Sequence, residues 1–267
     1  MSLHGFFDKH PVFTVEELSH FLKARGSHSG WTRKSLVAHH QKQGRIFRIR
    51  RGLYAAVPPG DDPQRVDADP YLVASRLADD AVLGYHTALE LHGKAHSVFG
   101  TFYYLTRRQR RPFRFRSAYF VPALVPHALR KKRREDFGVK TLDRAGLPVR
   151  VTTLERTLVD LLDRLDLGGG PEEVWRSLEA VEFFDLDQVV TYAALLENAT
   201  TVAKVGVFLE QHRKALWVDE AHLERLRRHV PKQPHYFTPD RKTGRLVRQW
   251  NLIVPEEILD RSWQEVP

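Results

Sequence analysis

The sequence predicts an α+β protein in two parts: a small unit of helix, turn, helix and basic hairpin, then a larger mixed α/β part rich in helices. Three observations carry this. Residues Thr14 to Val57 spell the first unit in order. Asp61 to Asp69 is a polar, proline-bearing stretch that reads as a linker. Beyond it, strand-like alternation and helix-like spacing interleave to the end. The expected domains are residues 1–62 and 69–267, and a chain of 267 residues is long enough for two cores.

The first unit is built from local signals. Thr14-Val15-Glu16-Glu17 is a capping box, offering an oxygen to the free first-turn amides and a Glu to reach back. Val15, Leu18, Phe21 and Leu22 then fall on one helical face. Phe6, Phe7, Val12 and Phe13 are expected to pack a short leading helix beneath it. Gly26 to Gly30 breaks the helix. Thr32 is the expected cap of the next helix, which should run to about Gln43 and stop at Gly44. Leu36 and His40, with Gln43 near, share one of its faces; Lys34, Ala38, Gln41 and Lys42 lie opposite. Arg45 to Arg51 alternates apolar and basic residues like a half-buried strand, Arg51-Gly52 reads as the turn, and Leu53 to Val57 returns.

This is the order of a winged helix-turn-helix. Residues 31–51 hold seven Lys or Arg and no acid. Phosphates attract such a surface, and a narrow helix fits the DNA major groove. The expected contacts are Arg33, Lys34, Gln41 and Lys42 in the helix, with Arg33 near the core edge, and Arg48, Arg50 and Arg51 in the wing. The bland alternative is a solvated basic face.

A net charge of +9 hides a sharper division. Residues 101–134 carry eleven Lys or Arg and no acid, so outside this stretch and residues 31–51 the chain has 24 basic against 33 acidic residues. Arg107, Arg108, Arg110 and Arg111 fall in one loop, and Arg114 and Arg116 on one side of a strand. Arg130, Lys131, Lys132, Arg133 and Arg134 form a second run. Like charges so concentrated suggest a second polyanion surface, for flanking DNA or for RNA, against the alternative of a solubilising patch.

The larger part opens with Asp69-Pro70, a cap and first-position Pro for a helix carrying Leu72, Val73, Leu77 and Ala78. Tyr85, Ala88, Leu89 and His92 share a face of a helix that Gly93 ends. Strands are expected at Thr101–Thr106, from Phe113 on through Val121, at Val139–Leu142 and at Val149–Val151. Thr152 to Glu155 reads as a second capping box, starting a helix with Leu154, Leu158, Leu161, Leu162 and Leu165 inward. Further helices follow Pro171, Asp185, Thr201 and Asp219, and Gly244 to Pro255 reads as one closing strand.

The winged unit, followed by Tyr85-His86-Thr87-Ala88-Leu89-Glu90-Leu91-His92-Gly93 and by Val151-Thr152-Thr153-Leu154-Glu155-Arg156-Thr157-Leu158-Val159-Asp160, resembles the AbiEi antitoxins of type IV, abortive-infection toxin–antitoxin systems. The resemblance covers residues 10–165 best; Lys94 stands where the family has an apolar residue. It implies a bifunctional protein. The N-terminal domain would repress its own operon at inverted repeats in double-stranded DNA. The C-terminal domain would counteract a nucleotidyltransferase-like toxin without a stable complex.

Other chemistry is poorly supported. There is no cysteine, which removes disulfides and Cys-based zinc sites. No 18-residue apolar run occurs and the start lacks a signal-peptide pattern, so a cytoplasmic protein without membrane association is expected. Asp185-Leu186-Asp187 behind Gly169-Gly170 reads as a helix cap rather than a nucleotidyltransferase metal pair. His86, His92 and His96 lack an evident carboxylate partner and read as core or surface residues. Glu155, Arg156 and Asp160 read as a charged surface cluster or a family-specific site, against the plain alternative of a helix salt bridge between Arg156 and Asp160, four apart. The expectation is a DNA-binding antitoxin-type repressor, not an enzyme, with no catalytic residue, metal or cofactor. The rivals are a nucleic-acid-processing enzyme and an RNA-binding module.

Overall fold

A computed structural model describes residues 3–26 and 30–261. The chain opens with α1 (Leu3–Lys9), β1 (Val12–Thr14), α2 (Val15–Lys23), α3 (Gly30–Lys42), β2 (Ile46–Arg50) and β3 (Leu53–Ala56). The predicted capping box starts α2: Thr14 Oγ1 accepts from Glu17 N at 3.1 Å, and Glu17 Oε2 accepts from Thr14 N at 2.6 Å. Phe6, Phe7, Phe13, Leu18, Val37, Ile46 and Tyr54 form the core under these helices. Gly44 ends the α3 turn at φ +68, a left-handed position that suits glycine. Two expectations need correction. The helix is already running at Gly30, so Thr32 is inside it and not its cap. Its buried side is Val37 and His40, while Gln43 is exposed. Part of the predicted Gly26–Gly30 break lies outside the described residues.

The strands of this unit pair antiparallel in the order β1-β3-β2. One face of the sheet meets the helices through Phe13, Ile46 and Tyr54. The other face, Val12, Ile49, Leu53 and Ala55, enters a second core together with Phe102, Tyr104 and Phe120 of the larger part. The winged helix is thus a slab with an apolar layer on each side.

The larger part continues with α4 (Pro70–Ser75), β4 (Val82–Leu83), α5 (Tyr85–Leu91), β5 (Thr101–Thr106), β6 (Phe113–Phe115), β7 (Ala118–Leu124), α6 (His127–Lys132), β8 (Val139–Arg144) and β9 (Leu147–Thr152). Its strands make one six-stranded mixed sheet, ordered β6-β7-β5-β4-β9-β8. Residues alternate across this sheet as the pleat requires. Phe102 and Tyr104 face the winged helix and α4, while Leu105 and the partly buried Tyr103 join the opposite core. That opposite core is helical: α7 (Leu154–Asp163), α8 (Pro171–Glu179), α9 (Leu186–Leu195), α10 (Ala199–Gln211) and α11 (Glu220–Arg227) close on Trp175, Tyr192, Phe208 and Trp250. Gly206 of α10 is in place because the Trp250 ring lies against it; a Cβ there would sit 2.3 Å from Cζ3. The chain finishes with β10 (His235–Tyr236), β11 (Arg245–Val247), β12 (Leu252–Val254) and α12 (Glu256–Leu259).

Three further expectations are corrected. Phe113 to Val121 is not one strand but a hairpin, turned at Arg116 and Ser117, with Phe113 opposite Phe120. Gly244 to Pro255 is likewise two antiparallel strands, reversed through a short 3-10 turn and Asn251 at φ 46. The cap of α7 is Thr153, not Thr152, because Thr152 belongs to β9 and bonds Thr157 from its buried hydroxyl. Glu155 is then not in a box; it accepts from Asp185 N.

Candidate nucleic-acid interface

α3 presents a basic outer face. Its inner residues, Val37 and His40, are buried against the aromatic core, with Leu36 half-buried. Lys34, Ala38, Gln41 and Lys42 all face solvent. A groove of about 630 Å³ runs beside them, lined by Lys34, Ala38 and Gln41 of α3, Arg51, Gly52 and Tyr54 of the wing, and Glu16 of α2. Arg33 is half-buried and donates from Nη1 to Ser19 Oγ at 2.8 Å, so it ties α3 to α2. Burial and the neighbouring positive charge of Arg45 hold the His40 imidazole below its ordinary value.

The wing does not keep strict alternation. Arg48 lies opposite Tyr54, and cross-strand partners point to the same face, here the α3 side. A bulge between Arg48 and Arg50 then puts Arg50 opposite Leu53, on the far face. There Arg50 donates from Nη2 to the Leu77 carbonyl at 2.7 Å. Burial, with the like charge of Arg110 adding to it, lowers this guanidinium. Arg50 is therefore corrected from a DNA contact to an arginine holding the wing to the larger part. Arg48 and Arg51 remain exposed.

The second basic stretch is divided by its surroundings. Thr106 Oγ1 and Arg107 N both donate to Asp80 at 2.7 Å, which pins the root of the loop. Arg107 pairs with Glu135 at 3.4 Å. Arg108, Arg110 and Arg111 are exposed. Arg114 lies over Tyr119, its cross-strand partner. Arg116 does not share a strand side with Arg114. It sits in the hairpin turn at φ 52 and bends back to the linker, donating to the carbonyls of Pro63 and Val66 and pairing with Asp67. Its guanidinium also covers the Phe47 ring at 4.8 Å. In the other run, Lys132 pairs with Glu197 at 2.7 Å, Arg134 covers Phe137, Arg130 is half-buried, and Lys131 and Arg133 are exposed.

Two polar clusters are buried in the larger part. His86 is wholly buried, its ring stacked on Phe99, with Nδ1 3.2 Å from Glu90 and Nε2 3.1 Å from Glu173. Its carboxylate partners, four and 87 positions away, correct the expectation that it had none. Hydrogen bonds from Ser97, His86 and Ser177 outweigh burial and hold Glu173 below the usual carboxylate range. Glu90 accepts from Phe99 N and Tyr71 Oη. The cluster fixes the 94–100 loop. Arg156 and Asp160 pair at 3.2 Å and are each 1% exposed, so they are not a surface cluster. Arg156 also donates to the Glu135 and Phe137 carbonyls at 2.7 and 2.8 Å, and Tyr192 Oη donates to Asp160 at 2.6 Å. His92 donates from Nε2 to the Thr152 carbonyl at 2.8 Å, and His96 contacts Arg176. Among the described residues no group of three His, Asp or Glu is placed to hold a metal, and no helix is long and apolar enough to cross a membrane.

Known proteins bear on this interface in two ways. The fold is similar to the crystal structure of the RV2827C protein from Mycobacterium tuberculosis, with a TM-score of 0.58 and 19% identity, over 98% of this chain and 93% of that one. At that identity the likeness speaks for the fold alone. No curated protein matches. Residues 6–57 match the family model AbiEi_4, described as a transcriptional regulator, AbiEi antitoxin. That span runs from α1 to the end of the wing, so the similarity to the family falls on the winged-helix unit.

Proposed function

We propose that the protein is a DNA-binding repressor and antitoxin that acts in the cytoplasm and has no enzymatic activity. The winged helix reads inverted repeats in the operator of its own operon. The larger part, residues 69–267, counteracts a nucleotidyltransferase-like toxin without forming a stable complex with it. The observation that carries the DNA reading is the outer face of α3. Lys34 and Gln41 line one groove with Arg51 of the wing, and Lys42 and Arg48 are likewise exposed. Gln and Lys have the donors to read base edges in the major groove, while the wing arginines hold phosphates.

The test is a shift assay on the duplex that the protein selects from a random library. Lys34→Ala and Gln41→Ala are each expected to weaken that duplex by roughly 1–3 kcal/mol and to relax preference at one base position. Unchanged affinity and preference in both variants would remove α3 from the groove. Absence of a metal-dependent nuclease or nucleotidyl-transfer activity in the same preparations separates this reading from an enzyme.

A further inference from the structure

Two connections in the helical layer are built alike. The Trp175 ring of α8 meets Phe208 of α10 at 5.2 Å, and four residues on in each helix Glu179 meets His212 at 3.0 Å. The two helices therefore run side by side in one direction and end together. The next helices begin side by side as well, since Asp187 of α9 pairs with Arg225 of α11 and lies 3.9 Å from His222. The 180–185 and 212–219 connections thus share one end of the layer. Both turn apolar side chains into the core there: Val181 and Phe184 in the first, Leu216 and Val218 in the second.

Each connection also holds one aromatic ring out in water, three residues before its second helix. Phe183 is 75% exposed and Trp217 84%. Trp217 does so at φ 56, a left-handed conformation that is costly for a bulky side chain. Two large rings left open at one end of a layer suit a contact surface better than a solvated one. The charges around them are divided. Residues 180–185 carry Glu182 and Asp185 and no base, while residues 212–217 carry Arg213 and Lys214 and no acid. Arg213 is paired with Glu220, and Asp185 caps α9. Glu182 and Lys214 are exposed, and among the described residues neither has an ion pair.

We propose that these two connections form a two-fold contact between copies of this chain. The 180–185 connection of each copy lies on the 212–217 connection of the other. Phe183 then packs on the other copy's Trp217, and Glu182 meets the other copy's Lys214. A two-fold axis makes each contact twice, because one patch carries both halves. Rings of this size bury about 150–250 Å² each when covered, so four of them bury about 600–1,000 Å². A stable interface needs about 1,200–2,000 Å². The contact is therefore weak, with a dissociation constant on the order of 10–100 µM, and the protein is monomeric when dilute. The winged helix takes no part in it. Its sheet joins the core on one face of the six-stranded sheet, and these connections belong to the core on the other.

The experiment is sedimentation equilibrium of the full chain from about 1 µM to about 1 mM. Wild type is expected to rise from the monomer mass toward twice that mass. Phe183→Ala and Trp217→Ala should each raise the dissociation constant about tenfold or more, since each change removes two anchors from the dimer. Both side chains are exposed, so the unfolding midpoints should stay near that of wild type. Charge reversal tests the pairing. Glu182→Lys and Lys214→Glu should each weaken association, and the double variant should regain it, because the pair is then restored in reverse. A wild type that stays monomeric over this range overturns the proposal and leaves the surface to a different protein. Association that survives both aromatic changes overturns it too, as does mass that grows past the dimer. A double reversal no better than the single ones overturns the facing of the two connections. Lys34→Ala and Gln41→Ala should associate as wild type does, so a failure of the DNA reading would leave this contact standing.

Discussion

Removing the Arg156 guanidinium should be among the most damaging single changes in the chain. The side chain is 1% exposed and donates to three groups: the Asp160 carboxylate and the carbonyls of Glu135 and Phe137. Arg156→Met keeps much of the volume and removes every donor. Asp160 would then be a buried carboxylate with only Tyr192 to support it. Breaking a buried ion pair in this way costs about 3–5 kcal/mol. The whole domain has about 5–15 kcal/mol of stability, so the loss is visible in a urea titration followed by tryptophan fluorescence. Asp160→Leu should cost a similar amount, because it strands the guanidinium. The double variant removes both charges, so its loss should be smaller than the sum of the two. It should not return to wild type, since each orphaned carbonyl keeps a cost of about 1–3 kcal/mol. A loss under about 1 kcal/mol for Arg156→Met would refute the reasoning, because a pair worth that little behaves as an exposed one.

Other outcomes follow from single contacts. Burial pulls the Lys204 ammonium down to about 8, against Leu162 O at 3.0 Å and the Phe237 ring. Its folded value lies below the unfolded one, so the penalty is complete below about pH 8 and is relieved as pH rises toward about 10.4. Lys204→Met should therefore stabilise the protein at pH 7, by up to about 3 kcal/mol, and the advantage should shrink in denaturation curves taken at pH 10. Replacing Arg48 and Arg51 with Ala should weaken specific and non-specific DNA alike and flatten the salt slope by about 0.9 per lost contact. Arg50→Ala should instead lower the unfolding midpoint and leave the slope alone, since Arg50 is committed to Leu77. Gly206→Ala drives a Cβ into Trp250 and should cost about 1–3 kcal/mol by thermal denaturation.

The features legible in the sequence were those decided within a few residues. The Thr14–Glu17 box, the Asp69-Pro70 start and the Gly44 and Gly93 stops all form as read, because capping and left-handed turns are local chemistry. What failed was set at long range. Thr152 and Thr153 are equivalent as letters, and the pairing of Thr152 within β9 decides that Thr153 is the cap. Alternation placed Arg48 and Arg50 side by side; one bulge sends them to opposite faces. The i, i+4 spacing of Arg156 and Asp160 gave the pair but carried no sign of burial, which comes from Tyr192 and the 135–137 turn. The exposed positions of Lys34, Gln41 and Lys42 were legible because helical spacing sets them away from His40, which is buried.

The winged helix uses both faces of its sheet, which bears on whether it is a portable part. A fragment ending near residue 62 would lay Val12, Ile49, Leu53 and Ala55 open to water, since these now meet Phe102, Tyr104 and Phe120. It would also lose Arg116 from the Phe47 ring. Transplanting a foreign DNA-reading head onto this body would demand matching side chains at those four positions and at Phe47, which meets Phe115. The seam between the two parts thus restricts which heads fit this body, and a chimaera that joins them only at the linker would inherit two unmatched apolar surfaces.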